Sequence, residues 1–274
     1  MTSQTTMPIE ALRGSVRLTD PHTVHALRDS DRVLLGLAAG DEPVHLPPDG
    51  GHLLVATGGG GGTTTVLRSV AAQALQLGTP VDILDLDGHW PSHTWAVSLP
   101  GVQIRSRIED IHDYLVDSVD QLRQNHEQPA DFRVPRRLVV VEHADRIMSA
   151  LRGYWTRTRP ESQLDEATGV EALSTLVAIG HQIGRQVVVG STRGIPPYRG
   201  TRTGEGFTTR IVAYGGQALW ERIAPEVSPV PPCSVIPGRM HTVHNGTSTR
   251  MQALYLSEPE ARAWANGIVP EEYR

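Results

Sequence analysis

Five successive glycines, Gly58 to Gly62, run directly into Thr63, Thr64 and Thr65, and these are the residues best suited to chemistry in the sequence. Glycine lets neighbouring backbone amides converge on one anion, and a hydroxyl just beyond such a loop is placed to hold a magnesium ion. A phosphate-binding loop of this design also needs a lysine that reaches the outer phosphates of a nucleotide. In the register set by the flanking residues, Gly60 and Gly61 lie in the cradle and Gly62 takes the last glycine position. Thr63 then falls where the lysine would be, Thr64 where the metal hydroxyl would be, and Thr57 where the first glycine would be. Read alone, the glycine run fits a phosphate cradle and an ordinary flexible turn equally well. The missing lysine is general, because all 25 basic residues are arginine. Schiff-base chemistry and a lysine clamp on phosphate are thereby excluded.

The neighbouring residues indicate what would position this loop. His52 to Ala56 is an apolar strand, and Val66, Leu67, Val70, Ala71 and Ala74 recur at helical spacing until Gly78 and Pro80. A second strand follows at Val81 to Leu86 and a third at Val102 to Arg105. Ser106 with Glu109 predicts a capping box opening a helix whose apolar face is Ile108, Ile111, Leu115, Val119 and Leu122. Leu138 to Val141 is a continuous aliphatic run, the pattern of a parallel strand covered on both faces. A helix over 170–183 and a buried strand at Val187 to Val189 continue the alternation, which argues for a parallel α/β sheet. Val33 to Leu37 and Pro43 to Leu46 flank a Gly40-Asp41 turn and predict a small N-terminal hairpin. Asn245-Gly246 predicts a second hairpin near the other end, and Ser257 with Glu260 a closing helix.

With 274 residues, 39% of them hydrophobic, the chain can bury a substantial core. No apolar run approaches the roughly 18 residues that cross a bilayer, and the opening residues have no secretory pattern, so a cytoplasmic protein is expected. One cysteine, Cys233, excludes an internal disulfide and a cysteine-based zinc scaffold, and its sequence neighbours include no activating base. A net charge of −5 gives no general attraction to nucleic acid, so contacts with phosphate backbones would need local arginine clusters. Two such clusters interleave aromatics: Arg152, Tyr154, Trp155, Arg157 and Arg159, and Arg193, Tyr198, Arg199 and Arg202. The motif HTVH occurs at His22 to His25 and again at His241 to His244. Strand geometry sends residues three apart to opposite faces, which opposes chelation, whereas a helical His22/His25 pair would share one face; a structural role is expected for both motifs and no resident metal site.

The stretch HLLVATGGGGGTTTVLRSVAAQAL, His52 to Leu75, resembles the start of the motor domain of FtsK/SpoIIIE-type DNA translocases and related TraB-like conjugal transfer proteins. ILDLDG at Ile83 to Gly88 resembles the family strand ending in Asp-x-Lys, with Asp85 matching and Asp87 in the lysine position. RRLVVVEHAD at Arg136 to Asp145 resembles the Walker B strand, VVVGSTRG at Val187 to Gly194 the sensor strand, and TTRIVAY at Thr208 to Tyr214 the strand after it. The resemblance spans residues 33 to 256 and implies a RecA-like P-loop fold. That is a mostly parallel sheet flanked by helices, with a small N-terminal hairpin and a C-terminal hairpin plus helix. It divides the chain into an N-terminal extension over 1–49 and an FtsK-like domain over 50–274. The membrane anchor and winged-helix module of full-length translocases are expected to be absent.

Against the family pattern the chemical positions are altered. Glu142-His143 stands where Asp-Glu would hold the magnesium shell and activate water, Thr192 replaces a glutamine beside the retained Arg193, and His181 replaces an arginine, with Arg185 one turn away. Losing one preorganised donor typically costs a factor of about 10²–10³ in rate, so the resemblance implies little or no ATP hydrolysis and no catalytic residue is assigned. It implies ATP and magnesium as weakly held cofactors at a degenerate Walker A loop of Gly60, Gly61, Gly62, Thr63, Thr64 and Thr65. DNA contacts would fall at Arg199 and Arg202. The expected function is an accessory or regulatory component of DNA translocation or conjugal transfer, working in a homo- or hetero-oligomer with DNA or a translocase or secretion-type assembly. Two other functions fit the same residues. One is an active ATP-dependent translocase that uses an arginine, such as Arg68 or one from a partner subunit, for the Walker lysine. The other is a peptide-binding pseudo-ATPase resembling type VII secretion motor domains.

Overall fold

A computed structural model describes residues 12–18, 20–28, 31–47, 51–86, 91–125, 135–159, 165–194, 206–213 and 215–268. In chain order the elements are β1 (Val16–Arg17), α1 (Pro21–Arg28), β2 (Leu34–Leu37), β3 (Pro43–His45), β4 (Leu53–Thr57), α2 (Thr63–Gln76), β5 (Val81–Leu84), β6 (Val102–Arg105) and α3 (Ile108–Asn125). They continue with β7 (Arg137–Val141), α4 (Ala144–Thr158), α5 (Thr168–Ile179), β8 (Arg185–Gly190), β9 (Thr209–Ala213), α6 (Gln217–Ile223), β10 (Arg239–His244), β11 (Thr247–Tyr255) and α7 (Glu258–Ala265). One sheet takes up every strand in the order β3-β2-β11-β10-β9-β4-β8-β7-β5-β6, with β1 added alongside β11. From β9 to β6 the pairing is parallel, and from β9 to β3 it is antiparallel. The α/β fold with a mostly parallel sheet is therefore as the sequence pattern predicts. No helix among the described residues is long and apolar enough to cross a membrane.

Alternation along the strands explains why their sequences read as unbroken apolar runs. Leu138 and Val140 of β7 pack under α2 and α7, while Val139 and Val141 pack under α3, α4 and α5. Each strand thus has two buried faces, as parallel strands between helix layers must. β4 sits between β8 and β9 with all five residues buried, which places its C-terminal end, and the glycine loop after it, in the middle of the sheet.

The antiparallel wing joins the two ends of the chain. β2 and β3 form the expected N-terminal hairpin, and β10 and β11 turn at Asn245 and Gly246, both at positive φ (48° and 75°), as a two-residue hairpin turn requires. The sequence does not reveal that β2 pairs with β11. There Gly36 lies opposite Ala253, and a Cβ at position 36 would sit 2.2 Å from the Gln252 carbonyl oxygen, so only glycine fits. The closing helix carries its predicted capping box of Ser257 and Glu260. The box predicted at Ser106 is not the helix start: α3 opens at Ile108, and the Arg107 carbonyl accepts from the Ile111 amide while its guanidinium pairs with Glu109.

Two buried histidines stiffen the sheet. His52, at the entrance to β4, accepts the Val187 amide of β8 on Nδ1 at 2.9 Å, and His241 of β10 meets the Trp220 ring edge-on at 5.6 Å. Burial, reinforced by nearby positive charge, pushes both imidazoles down from 6.5 to about 4. The folded protein resists protonating them and the unfolded chain does not, so the unfolded state binds more protons between those values. Stability is therefore expected to be greatest above pH 6.5 and to fall as pH drops towards about 4. Urea midpoints taken across that window check this, and replacing His241 with phenylalanine is expected to flatten the slope. A midpoint that does not move with pH would contradict it.

Candidate functional site

Thr57, the last residue of β4, and Thr63, the first of α2, face each other across the base of the glycine loop with their hydroxyls 2.5 Å apart. Between them Gly60 and Gly62 take positive φ (74° and 95°), Gly58 receives the Gly61 amide at 2.8 Å, and the Gly58 amide donates to Ala213 of β9. Gly59 and Gly60 face open space, and Gly61 is packed against Thr57 so closely that a Cβ would lie 2.6 Å from the threonine Cβ. No side chain caps α2, and its first turn holds no acidic residue. The first amides of a helix have no intrahelical acceptor, and with the helix dipole they form a positive end suited to an anion.

Beneath the loop lies a charge sealed from water. Glu142, at the end of β7, has no exposed surface; its Oε1 accepts from the Thr64 hydroxyl at 2.8 Å and its Oε2 lies 3.0 Å from His93 Nε2. The Trp95 indole is 3.2 Å from the other imidazole nitrogen, Nδ1. An indole N–H only donates, so Nδ1 is the acceptor, and Nε2 carries the hydrogen that goes to Glu142. Burial works against the Glu142 charge, but the hydrogen bonds from His93 and Thr64 outweigh it and hold the carboxyl below its usual range. Asp85, nearby on the loop after β5, is pushed up by burial even though it accepts the Ser92 amide at 2.8 Å. His143 stands half exposed in a left-handed conformation (φ 50°), with Nε2 3.4 Å from Glu142 Oε1.

A second carboxylate fixes the end of β8. Asp145 accepts from the Ser191 hydroxyl at 2.9 Å on one oxygen and from the Thr192 amide and hydroxyl at 3.0 and 3.2 Å on the other. Gly190 lies so near the loop that a Cβ there would meet Thr63 at 2.6 Å. The space enclosed is a cavity of about 690 Å3, within the range of small-molecule sites, lined by 57–64, His143, Asp145, Arg146 and 190–192. The open glycines and uncapped helix start facing it fit a nucleotide phosphate group.

The sequence-predicted residues fall into three groups. Gly60, Gly61, Gly62, Thr63, Thr64, His143 and Thr192 converge on the cavity and Glu142 supports it from below, whereas Thr65 and Arg193 do not line it. Arg199, Arg202, Tyr198 and Asp87 lie outside the described residues. Arg68, the alternative phosphate cation, points away: its guanidinium donates to the Leu256 carbonyl and to Glu258 at the start of α7. Arg185 donates to Gln121 at the opposite end of β8 from the cavity. Arg152 is held by both oxygens of Glu166, and Tyr154 and Trp155 pack on His112, so the first arginine and aromatic cluster is largely committed to structure. No group of three or more His, Cys, Asp and Glu residues among the described residues is arranged to hold a metal ion. Sequence reasoning missed His93, Trp95 and Arg146; only the position of Arg146 one residue after Asp145, on the helix following the Walker B-like strand, was a usable signal.

A glycine loop that carries a central parallel strand into a helix N-terminus, with a buried carboxylate two strands away, is the arrangement of the P-loop NTPase fold. No protein-family model and no curated protein sequence matches the chain. Among solved structures it is similar to the pCW3 conjugation coupling protein TcpA with ATPγS, at 15% identity and a TM-score of 0.63 over 94% of this chain and 74% of that one. It is also similar to EssC (ATPases 2 and 3) from Geobacillus thermodenitrificans, at 14% identity, TM-score 0.62, over 87% of this chain and 49% of that one. Thermomonospora curvata EccC (ATPases 2 and 3) in complex with a signal sequence peptide gives 14%, 0.64, 92% and 45%. The chain thus spans about three quarters of the first and less than half of the other two, and shares the fold of conjugation-coupling and secretion ATPases.

Removing His93 would leave a buried carboxylate oxygen and the Trp95 N–H without partners. His93→Ala is expected to cost on the order of 3 kcal/mol. Adding Glu142→Gln should recover part of that loss, because the neutral amide tolerates the gap better. Urea unfolding of the two variants checks both statements, and an unchanged midpoint for His93→Ala would show that the network is not holding the site.

Proposed function

We propose that this domain binds a nucleotide through its glycine loop, hydrolyses it little or not at all, and acts as an accessory or regulatory component of a DNA-translocation, conjugal-transfer or secretion-type assembly. The observation that supports this reading is the combination of open glycines and an uncapped helix start with neighbouring side chains that bond to one another. Thr63, in the lysine position, shares its hydroxyl with Thr57. His143, in the position of the water-activating carboxylate, leans on Glu142, and Asp145 is engaged by Ser191 and Thr192. A charge-assisted contact to phosphate is worth about 1.5–3 kcal/mol, so the absent lysine alone predicts weak binding. Loss of a base and a cation together removes the positioning and charge stabilisation on which phosphoryl transfer depends.

Calorimetric titration with ATP, beside phosphate-release assays, tests the reading. The unmodified protein is expected to bind weakly and to release no phosphate above background, and Thr63→Lys is expected to tighten binding about tenfold or more. Steady turnover by the unmodified protein, abolished by Glu142→Gln, would replace this reading with that of an active motor.

For the partner, DNA contact through Arg199 and Arg202 is the first expectation, as a property of the assembled component. A peptide partner is the second reading; it is favoured by the pairing of Arg13, Arg105, Arg137, Arg152 and Arg210 with carboxylates, which leaves less free positive charge on the described surface. Replacing both Arg199 and Arg202 with alanine is expected to reduce DNA retention in a salt-dependent way. Retention equal to that of the parent protein would transfer the role to a protein partner.

A further inference from the structure

The fold family implies magnesium beside the nucleotide, and the residues here do not fit it. Magnesium keeps several waters and is held through one or two carboxylates together with the substrate phosphates. Around this cavity each carboxylate is already engaged from within the protein. Glu142 is fully buried, one oxygen held by Thr64 and the other by His93, whose own side chain is fully buried and fixed by Trp95. Both oxygens of Asp145 serve the end of β8. Asp85 does not line the cavity, and burial favours its uncharged form.

From this arrangement we infer that the glycine loop takes a phosphate-bearing anion without a divalent cation, His93 filling with a hydrogen bond the Glu142 oxygen that a metal's water shell would otherwise use. The balancing positive potential comes from the N-terminus of α2 and the loop amides. The orientation of His93 makes this specific: Trp95 can only donate, so His93 Nε2 must present its hydrogen to Glu142 and offers no lone pair to a hydrated ion. This inference rests on the nucleotide-binding reading of the same site.

The test is titration of the full chain with ATP, once with excess EDTA and once with excess magnesium. Affinities within about threefold of each other are expected. Binding more than about threefold tighter with magnesium would overturn the inference while leaving the nucleotide-binding reading in place. No heat in either arm would remove that reading, and the inference with it. His93→Ala removes both the hydrogen bond and the ring that covers the Glu142 oxygen, and is expected to make binding favour magnesium by about tenfold. A folded variant that remains indifferent to magnesium would remove His93 from the explanation, and if the variant fails to fold the parent comparison still decides.

Discussion

A single carboxylate with no access to water sets the terms for the centre of this protein. An isolated buried charge costs many kcal/mol, and it persists only when its oxygens are satisfied by well-placed donors. Glu142 obtains them from two places far away in sequence, Thr64 at the start of α2 and His93 in the loop after β5. That requirement holds the start of α2, and with it the threonine end of the glycine loop, against the end of β7. His93 in turn needs Trp95, and the backbone carbonyls of Trp95 and Val97 accept from Arg262 of α7. The closing helix is thereby tied to the pocket through a short series of polar contacts, with Arg68 to Leu256 and Glu258 as a second tie between α2 and α7.

Main-chain and side-chain polarity are arranged differently at the glycine loop. Its shape and backbone polarity come from main-chain geometry, the glycines at positive φ and the uncapped start of α2. The hydroxyls and carboxylates around the loop are bonded to one another: Thr57 to Thr63, Thr64 to Glu142, Asp145 to Ser191 and Thr192. The loop is consequently stiffened by its own side chains, and polar networks fully satisfied in this way favour one fixed arrangement over many.

Much of the scaffold was legible in the sequence because it is encoded by near neighbours. The apolar run at Leu138 to Val141, the passage from Val55 through glycine to Thr63, the Asn245-Gly246 turn and the Ser257/Glu260 box each depend on residues within a few positions of one another. Ser106 with Glu109 shows the limit of such patterns, since the helix begins at Ile108 and Arg107 takes the entry role. The part of the site that was not legible is long-range. Nothing near His93 marks it as the partner of Glu142, 49 positions away, and Arg68 reads as a free cation until α7 is placed beside it. Choices of partner over such distances are decided by packing, which a periodic pattern does not contain.

The pairing of β2 with β11 bears on how the molecule is made. Gly36 meets Ala253, residues almost the whole described chain apart, and Val16 meets Leu254 beside them. During synthesis the N-terminal hairpin emerges first, yet its place in the sheet exists only after β10 and β11 have been translated. Loop closure over that distance is slow, and an unpaired strand edge is exposed to the wrong neighbour in the meantime. The wing can therefore close only once β10 and β11 are available, so the sheet is completed by strands that lie late in the sequence and not by the hairpin that precedes them.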